Sequence, residues 1–234
     1  MSQIQPDPTP GDTSWFTHDR FGMFIHWGIY SMGARHEWLK TREEMSDVQY
    51  SPYFEYFDPD LYDPDAWAEA ASDAGMKYFV ITTKHHDGFC LWDSALTDYK
   101  ATNTPAKRDL IRPMLDAFRN RGMRAGVYHS LIDWHHLDFT IDRHHPQRNH
   151  PDRDALDTGR DMSRYREYLH GQVRERRAQV LAHGDDVDAA RNQILHRRGR
   201  AFGGHPDHVI SGQTQRLEPA NQRQMPDAAL AGAA

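Results

Sequence analysis

The aromatic residues of this chain stop well before the chain does. All six tryptophans lie at or before Trp134, the last tyrosine is Tyr168, and Phe202 is the only Phe, Tyr or Trp beyond it in a sequence of 234 residues. Large rings contribute much of the area that a core buries. Residues 176–234, rich in Arg, Gln, Asp, His and Ala, therefore have little with which to build one. The sequence predicts a flexible N-terminus over residues 1–14, an ordered α/β region over 15–175, and a divergent, largely disordered tail over 176–234.

Within the ordered region, strand and helix signals alternate. Residues 21–28 read FGMFIHWG, a short apolar run ending in polar groups, as a buried strand does when its far end opens into a pocket. Asp63 supplies an N-cap and Pro64 a first-turn proline; Trp67, Ala70, Ala71 and Ala74 follow at helical spacing, and Gly75 stops the run. Residues 77–83 (KYFVITT) form a second, β-branched and aromatic strand. Ile111, Met114, Leu115 and Phe118 share a helical face that ends at Gly122, and residues 124–130 (RAGVYHS) give a third strand. A helix over about residues 158–181 follows. This order implies a parallel sheet, either doubly wound or a (β/α)8-type barrel. The polar and aromatic cluster at each strand end favours the barrel, whose sites gather side chains from strand C-termini. The expected fold is an incomplete barrel of about three βα units.

A formal net charge of −6 gives no basic field for nucleic acid. Cys90 is the only cysteine, which excludes an internal disulfide and fits a reducing compartment. The first residues carry no signal-peptide pattern, and no apolar run approaches the roughly 18 residues of a membrane span. A cytoplasmic protein without membrane or nucleic-acid partners is expected. His135, His136, His144 and His145 lie in a polar loop without the spacings of zinc sites, so no metal or other cofactor is expected.

Strand one ends in His26-Trp27-Gly28, with Glu37-Trp38 a short loop later. Strand two ends in Lys84-His85-His86-Asp87-Gly88, and strand three in Tyr128-His129-Ser130, with Asp133-Trp134 close behind. Paired imidazoles, an acid and several indoles suit a sugar: the polar groups hydrogen-bond hydroxyls and the rings cover its apolar face. Each group also has a plainer reading. Trp38 could be packing, Asp87-Gly88 a turn, and Asp133 an N-cap. Adjacent residues on a strand point to opposite sides, so of His85 and His86 one should face inward and the other be held by a loop.

Taken together, FGMFIHWGIYS, Glu37-Trp38, KYFVITTKHHDGFCLWDS, KRDLI from Lys107 and RAGVYHSLIDW resemble the α-L-fucosidase family of glycoside hydrolases, in order and over about residues 15–175. The resemblance implies a (β/α)8-like catalytic domain that hydrolyses α-L-fucosides with retention. It implies a fucosylated glycan or small fucoside as partner, and matches His26, Glu37, Trp38, His85, His86 and Tyr128 to fucose-contacting positions. His129 stands where the family often has tyrosine. The family's nucleophile, an aspartate ending the fourth strand, has no recognisable counterpart, nor has the acid/base glutamate. Asp185, Asp186 and Asp188 lie in polar, Arg- and Ala-rich surroundings and are not assigned. Such a loss of pattern is what a truncated or frame-altered reading would produce, and the chain is expected to be inactive alone. The alternatives are a non-catalytic fucose-binding fragment and a His-dependent metal hydrolase. Three strands would also leave an exposed parallel edge, through which self-association is expected.

Overall fold

The computed structural model describes residues 14–181; the expectations for residues 1–13 and 182–234 fall outside them. A short helix α1 (Ser14–Asp19) leads into strand β1 (Gly22–Ile25). Helices α2 (Leu39–Arg42), α3 (Asp47–Glu55) and α4 (Pro64–Asp73) precede β2 (Tyr78–Lys84). Helix α5 (Arg112–Asn120), β3 (Arg124–His129), α6 (Arg153–Asp157) and α7 (Met162–Leu181) complete the described chain. The three strands form one parallel sheet in the order β1-β2-β3. Gly22 pairs with Tyr78 and Ile25 with Ile81 on one side of β2, and Tyr78 with Arg124 and Thr82 with Tyr128 on the other. Parallel neighbours require crossovers, which the helical segments between the strands supply. The fold is α/β with a small parallel sheet.

The local signals act where the sequence places them. Asp63 Oδ1 accepts a hydrogen bond from the Ala66 amide at 3.0 Å, with Pro64 in the first turn of α4. Gly75 and Gly122 follow α4 and α5 at φ of 81° and 73°, a conformation in which glycine carries no Cβ penalty. The buried face of α4 is Ala68 and Ala71, whereas Ala70 and Ala74 of the expected stripe are exposed. Trp67 turns instead to meet Trp27 and Tyr62, each with ring centroids 5.7 Å away. The helix expected over about residues 158–181 forms as α7 but starts a turn later, at Met162: Gly159 takes φ of 84° and Asp161 caps the start by accepting from the Ser163 amide at 2.8 Å, while the short α6 before it was not expected.

One face of the sheet packs on helices. Phe79 and Ile81 are fully buried, and Phe79 stacks on Phe118 of α5 with centroids 3.8 Å apart. Residues two apart on a strand share a face. Phe24, on the opposite face, is half exposed.

Beyond the strands, two polar anchors fix the connections. Lys84, the last residue of β2, is 1% exposed and places its ammonium 2.9 Å from Asp133 Oδ2, itself 1% exposed. The other oxygen of Asp133 accepts from the His135 and His136 amides at 3.1 and 3.0 Å. Glu175 of α7 gathers the Trp92 indole, the Ser94 hydroxyl and the Ala95 amide at 3.1, 2.8 and 2.9 Å. The helix continues past Glu175 to Leu181. Arg176 is 3% exposed and lies over the Trp92 ring at 4.1 Å, yet its three guanidinium nitrogens are buried without a hydrogen-bond partner.

These anchors make opposite predictions. Lys84→Met leaves the Asp133 carboxylate buried and unpaired, and should lower stability by about 3–5 kcal/mol. Arg176→Met removes an orphaned cation from a position already lined by Trp92, and should raise stability by about 1–3 kcal/mol. Urea unfolding of both variants checks the pair; equal shifts in one direction would contradict the assignment.

Candidate functional site

The site is assembled from the ends of the three strands. At the end of β1 the Thr82 hydroxyl donates to the Trp27 carbonyl at 2.7 Å and accepts the Trp27 amide at 2.9 Å. This clamp turns the chain off the ladder and leaves His26 exposed, stacked on Phe24 with centroids 4.5 Å apart. A 3-10 turn (Ile29–Gly33) and Ala34, at φ of 49°, then carry the chain to Glu37 and Trp38. Glu37 lines a cavity of about 210 Å³ with His26, Tyr30 and Arg35.

At the end of β2 the register slips between Thr82 and Lys84, and the chain enters a turn in which the Gly88 amide donates to the His85 carbonyl at 3.1 Å. Because His85 and His86 lie on this turn, the strand rule of opposite faces does not hold. Their ring centroids are 4.2 Å apart, and both are buried. Gly88 has φ of 84°, and a Cβ there would collide with the Asp133 carboxylate and His135. The turn is thereby tied to the Lys84–Asp133 pair, and the Trp134 amide donates to the His86 carbonyl at 2.7 Å.

The rings converge. His85 lies 5.8 Å from His26, 6.2 Å from Tyr128 and 5.2 Å from Tyr30, and His26 lies 5.9 Å from Tyr128. Trp38 joins through His86 at 4.9 Å, edge to face. All six residues singled out in the sequence therefore border one region: His26, His85, His86, Tyr128 and Trp38 by ring contact, and Glu37 through the cavity it shares with His26. Tyr30 and His144 belong to the same neighbourhood and carry no periodic signal in the sequence. His144 reaches Trp38, at 5.7 Å, because its carbonyl accepts from the Thr41 hydroxyl and Arg148 binds Thr41 at 2.9 Å.

Other candidates point elsewhere. Asp87 is buried, accepting from the Tyr50 hydroxyl at 3.0 Å and the Phe89 amide at 3.2 Å, as a turn residue does. Asp133 caps backbone amides and holds Lys84. His129 faces the Thr83 hydroxyl at 3.2 Å and the Trp92 ring at 5.6 Å. His135 stacks on Tyr99 at 3.9 Å and His136 packs on Tyr168 at 4.3 Å. Among the described residues no group of three His, Cys, Asp or Glu is arranged to hold a metal ion, and no helix is long and apolar enough to cross a membrane.

Comparison with known proteins gives one family. The model described as alpha-L-fucosidase matches residues 4–181. Tissue alpha-L-fucosidase of Mus musculus is 35% identical over 147 residues, 56% of this chain and 32% of that protein. The chain thus spans about a third of the length of the curated relatives it matches. Alpha-L-fucosidase isoenzyme 1 from Paenibacillus thiaminolyticus is 56% identical with a TM-score of 0.69, covering 72% of this chain and 40% of that one. A fucosidase of Bacteroides thetaiotaomicron, trapped as a covalent intermediate in complex with 2-fluoro-fucosyl fluoride, is 30% identical with a TM-score of 0.60 over 73% and 40% of the two chains.

The electrostatics follow from burial. Desolvation pushes the His85 imidazole down to about 2, with His86 and His26 adding repulsion. Desolvation likewise takes His86 down to about 4, assisted by His144, His26 and Lys84, and His145 to about 4. His26 is lowered by burial, with the Glu37 charge opposing the shift. Burial raises the Tyr128 phenol, while the Ser130 hydroxyl beside it pulls the other way. Asp87 is driven up to about 6 by burial, against the Phe89 amide, Lys40 and Tyr50. The pocket thus presents neutral imidazoles at pH 7. Between pH ~4 and ~6.5 the unfolded chain binds protons at His85, His86 and His145 that the folded chain refuses, so stability rises with pH across that window. Asp87 acts with the opposite sign between about 4 and 6 but is one group against three. The urea midpoint should therefore fall from pH 7 to pH 5. A midpoint unchanged or higher at pH 5 contradicts burial of these rings in neutral form.

Proposed function

The chain belongs to the α-L-fucosidase family, and from that premise we propose that its strand ends form the fucose-recognising part of a retaining glycosidase site. His26, Glu37, His85, His86 and Tyr128 hydrogen-bond the hydroxyls and ring region of an α-L-fucoside, and Trp38 packs on an apolar face of the sugar. The three βα units correspond to the first part of a (β/α)8 barrel, whose active sites sit at the C-terminal ends of the strands. The observation that carries the reading is the convergence of rings from three separate strand ends, with centroids 4.2–6.2 Å apart between His26, His85, His86 and Tyr128.

Retention requires two carboxyl groups about 5–5.5 Å apart, one attacking the anomeric carbon and one serving as acid and then base. The covalent intermediate of the Bacteroides relative is consistent with that chemistry in the family. Among the described residues the acids nearest the strand ends are already engaged: Asp87 by Tyr50 and Phe89, and Asp133 by Lys84. Glu37 remains as the acid of the cavity. Binding is therefore the function that these residues support. Hydrolysis needs a nucleophile and its partner from outside the described set, and positioning alone does not divide the reaction into two easier steps.

Two measurements on the purified chain test this. Calorimetry should detect L-fucose at millimolar concentration, with the heat abolished in His85→Ala; absence of heat with the parent chain overturns the recognition role. Release of p-nitrophenol from its α-L-fucoside should remain near background, and turnover at rates ordinary for enzymes, roughly 1 per second or more, would refute the binding-only account.

A further inference from the structure

A serine outside the six ring and acid residues has its side chain fully occupied at the site. Ser130 follows β3, is 1% exposed, and receives its backbone position from a 3.0 Å bond between its amide and the Lys84 carbonyl. Its Oγ lies 2.6 Å from His86 Nδ1, 2.7 Å from the Ile132 carbonyl oxygen and 3.0 Å from the Ile132 amide. The hydroxyl has one proton and two lone pairs to divide among these neighbours. The Ile132 amide can only donate, and the Ile132 carbonyl can only accept. Ser130 is the donor found for that carbonyl among the described residues, in a part-buried contact at 2.7 Å, and a shielded carbonyl left without a donor is costly. With its proton on Ile132, Ser130 has only lone pairs to offer its other neighbours, the Tyr128 phenol beside it and His86, so an imidazole bonded to it carries its proton on Nδ1.

We propose that Ser130 is a positioning residue that holds His86 in the Nδ1–H tautomer, leaving Nε2 as a bare acceptor that recognises a sugar hydroxyl by its proton. The imidazole is neutral at pH 7, so the tautomer, and not a charge, sets the polarity of the contact. A free neutral imidazole can turn either nitrogen toward a ligand, and the same ring would then meet a hydroxyl as donor or as acceptor. Fixing the tautomer removes that ambiguity. The hydroxyl that docks here must donate, which leaves its lone pairs to accept from another group. His85 stands beside it, its Nδ1 buried without a partner; with its proton on Nε2 it would supply such a donor. Two adjacent imidazoles in opposite tautomers would read a hydroxyl as both donor and acceptor, which an ether or a deoxy position cannot satisfy.

The ligand half of this inference rests on the fucose-recognition reading, whereas the tautomer does not. Long-range proton–nitrogen NMR correlation of the full chain at pH 7.5, with His86 assigned through His86→Gln, should give a protonated Nδ1 and a bare Nε2 without any sugar present. A protonated Nε2 in the parent protein overturns the proposal whatever the sugar does. In Ser130→Ala the ring should shift toward the Nε2–H form, and L-fucose affinity should weaken roughly tenfold. Ser130→Thr, which keeps the hydroxyl, should restore both. Affinity lost in Ser130→Ala with the His86 tautomer unchanged would also overturn it, by making Ser130 merely structural. A parent chain with the expected tautomer and no affinity for L-fucose would sink the sugar assignment and leave the Ser130–His86 relation standing.

Discussion

The buried pair between Lys84 and Asp133 is the constraint from which the rest of the site hangs. Lys84 closes β2 and Asp133 lies in the loop after β3, so their contact fixes two strand ends against each other at 2.9 Å. Burying two charges is costly unless their remaining bonding capacity is filled. Here the second carboxylate oxygen takes two backbone amides, and the ammonium lies over the rings of Tyr165 and Tyr168 at 5.8 and 5.4 Å. Burial alone would raise the Asp133 carboxyl, but the adjacent ammonium, helped by His135 and the His136 amide, holds the group below the ordinary carboxylate range. The same carboxylate occupies the space that any Cβ at residue 88 would need. A single ion pair thus dictates the glycine, the turn and the bearing of the two histidines on it.

Much of this was legible in the sequence, for physical reasons that differ by element. The strands were visible as short β-branched and aromatic runs between turn residues, and α4 and α5 because a cap, a proline and a terminating glycine punctuate them. Helix α3 was missed because Pro52 sits within it, although Ser46 and Gln49 form a reciprocal capping box, with bonds of 2.9 and 3.3 Å, that announces its start. The start of the last helix was placed a turn too early because Gly159, which takes φ of 84° just before α7, is one of several glycines with equal claim. The six candidate residues were selected for their clustering at strand ends and for family likeness, not for periodicity, and what the fold adds is that they border one region. His144 was not selected, since its approach to Trp38 depends on Thr41 and Arg148, more than 100 residues apart in sequence.

The helix-packed face and the open face of the sheet differ in what they demand. On the first, rings and aliphatic chains interlock, as Phe79 does with Phe118. On the second, Phe24 stays half exposed and lies against both His26 and Tyr128, at 4.5 and 5.9 Å. An apolar ring there is a floor for the imidazole and the phenol, restricting their rotation without offering a competing hydrogen bond. Arg176 is the counterexample: a long cation placed where the fold offers an indole but no acceptor, so packing and polarity pull against each other.

The turn that carries His85 and His86 has a consequence for how the site can change. Both imidazoles ride on one short piece of backbone, closed by the bond from Gly88 to His85 and seated against the loop after β3. Displacing either ring by altering that backbone displaces its neighbour in the same direction. Adaptation to a differently shaped ligand must therefore come from residues that lean on the rings, such as Trp38, Tyr30 or Ser130, because the two histidines can be retuned only as a couple.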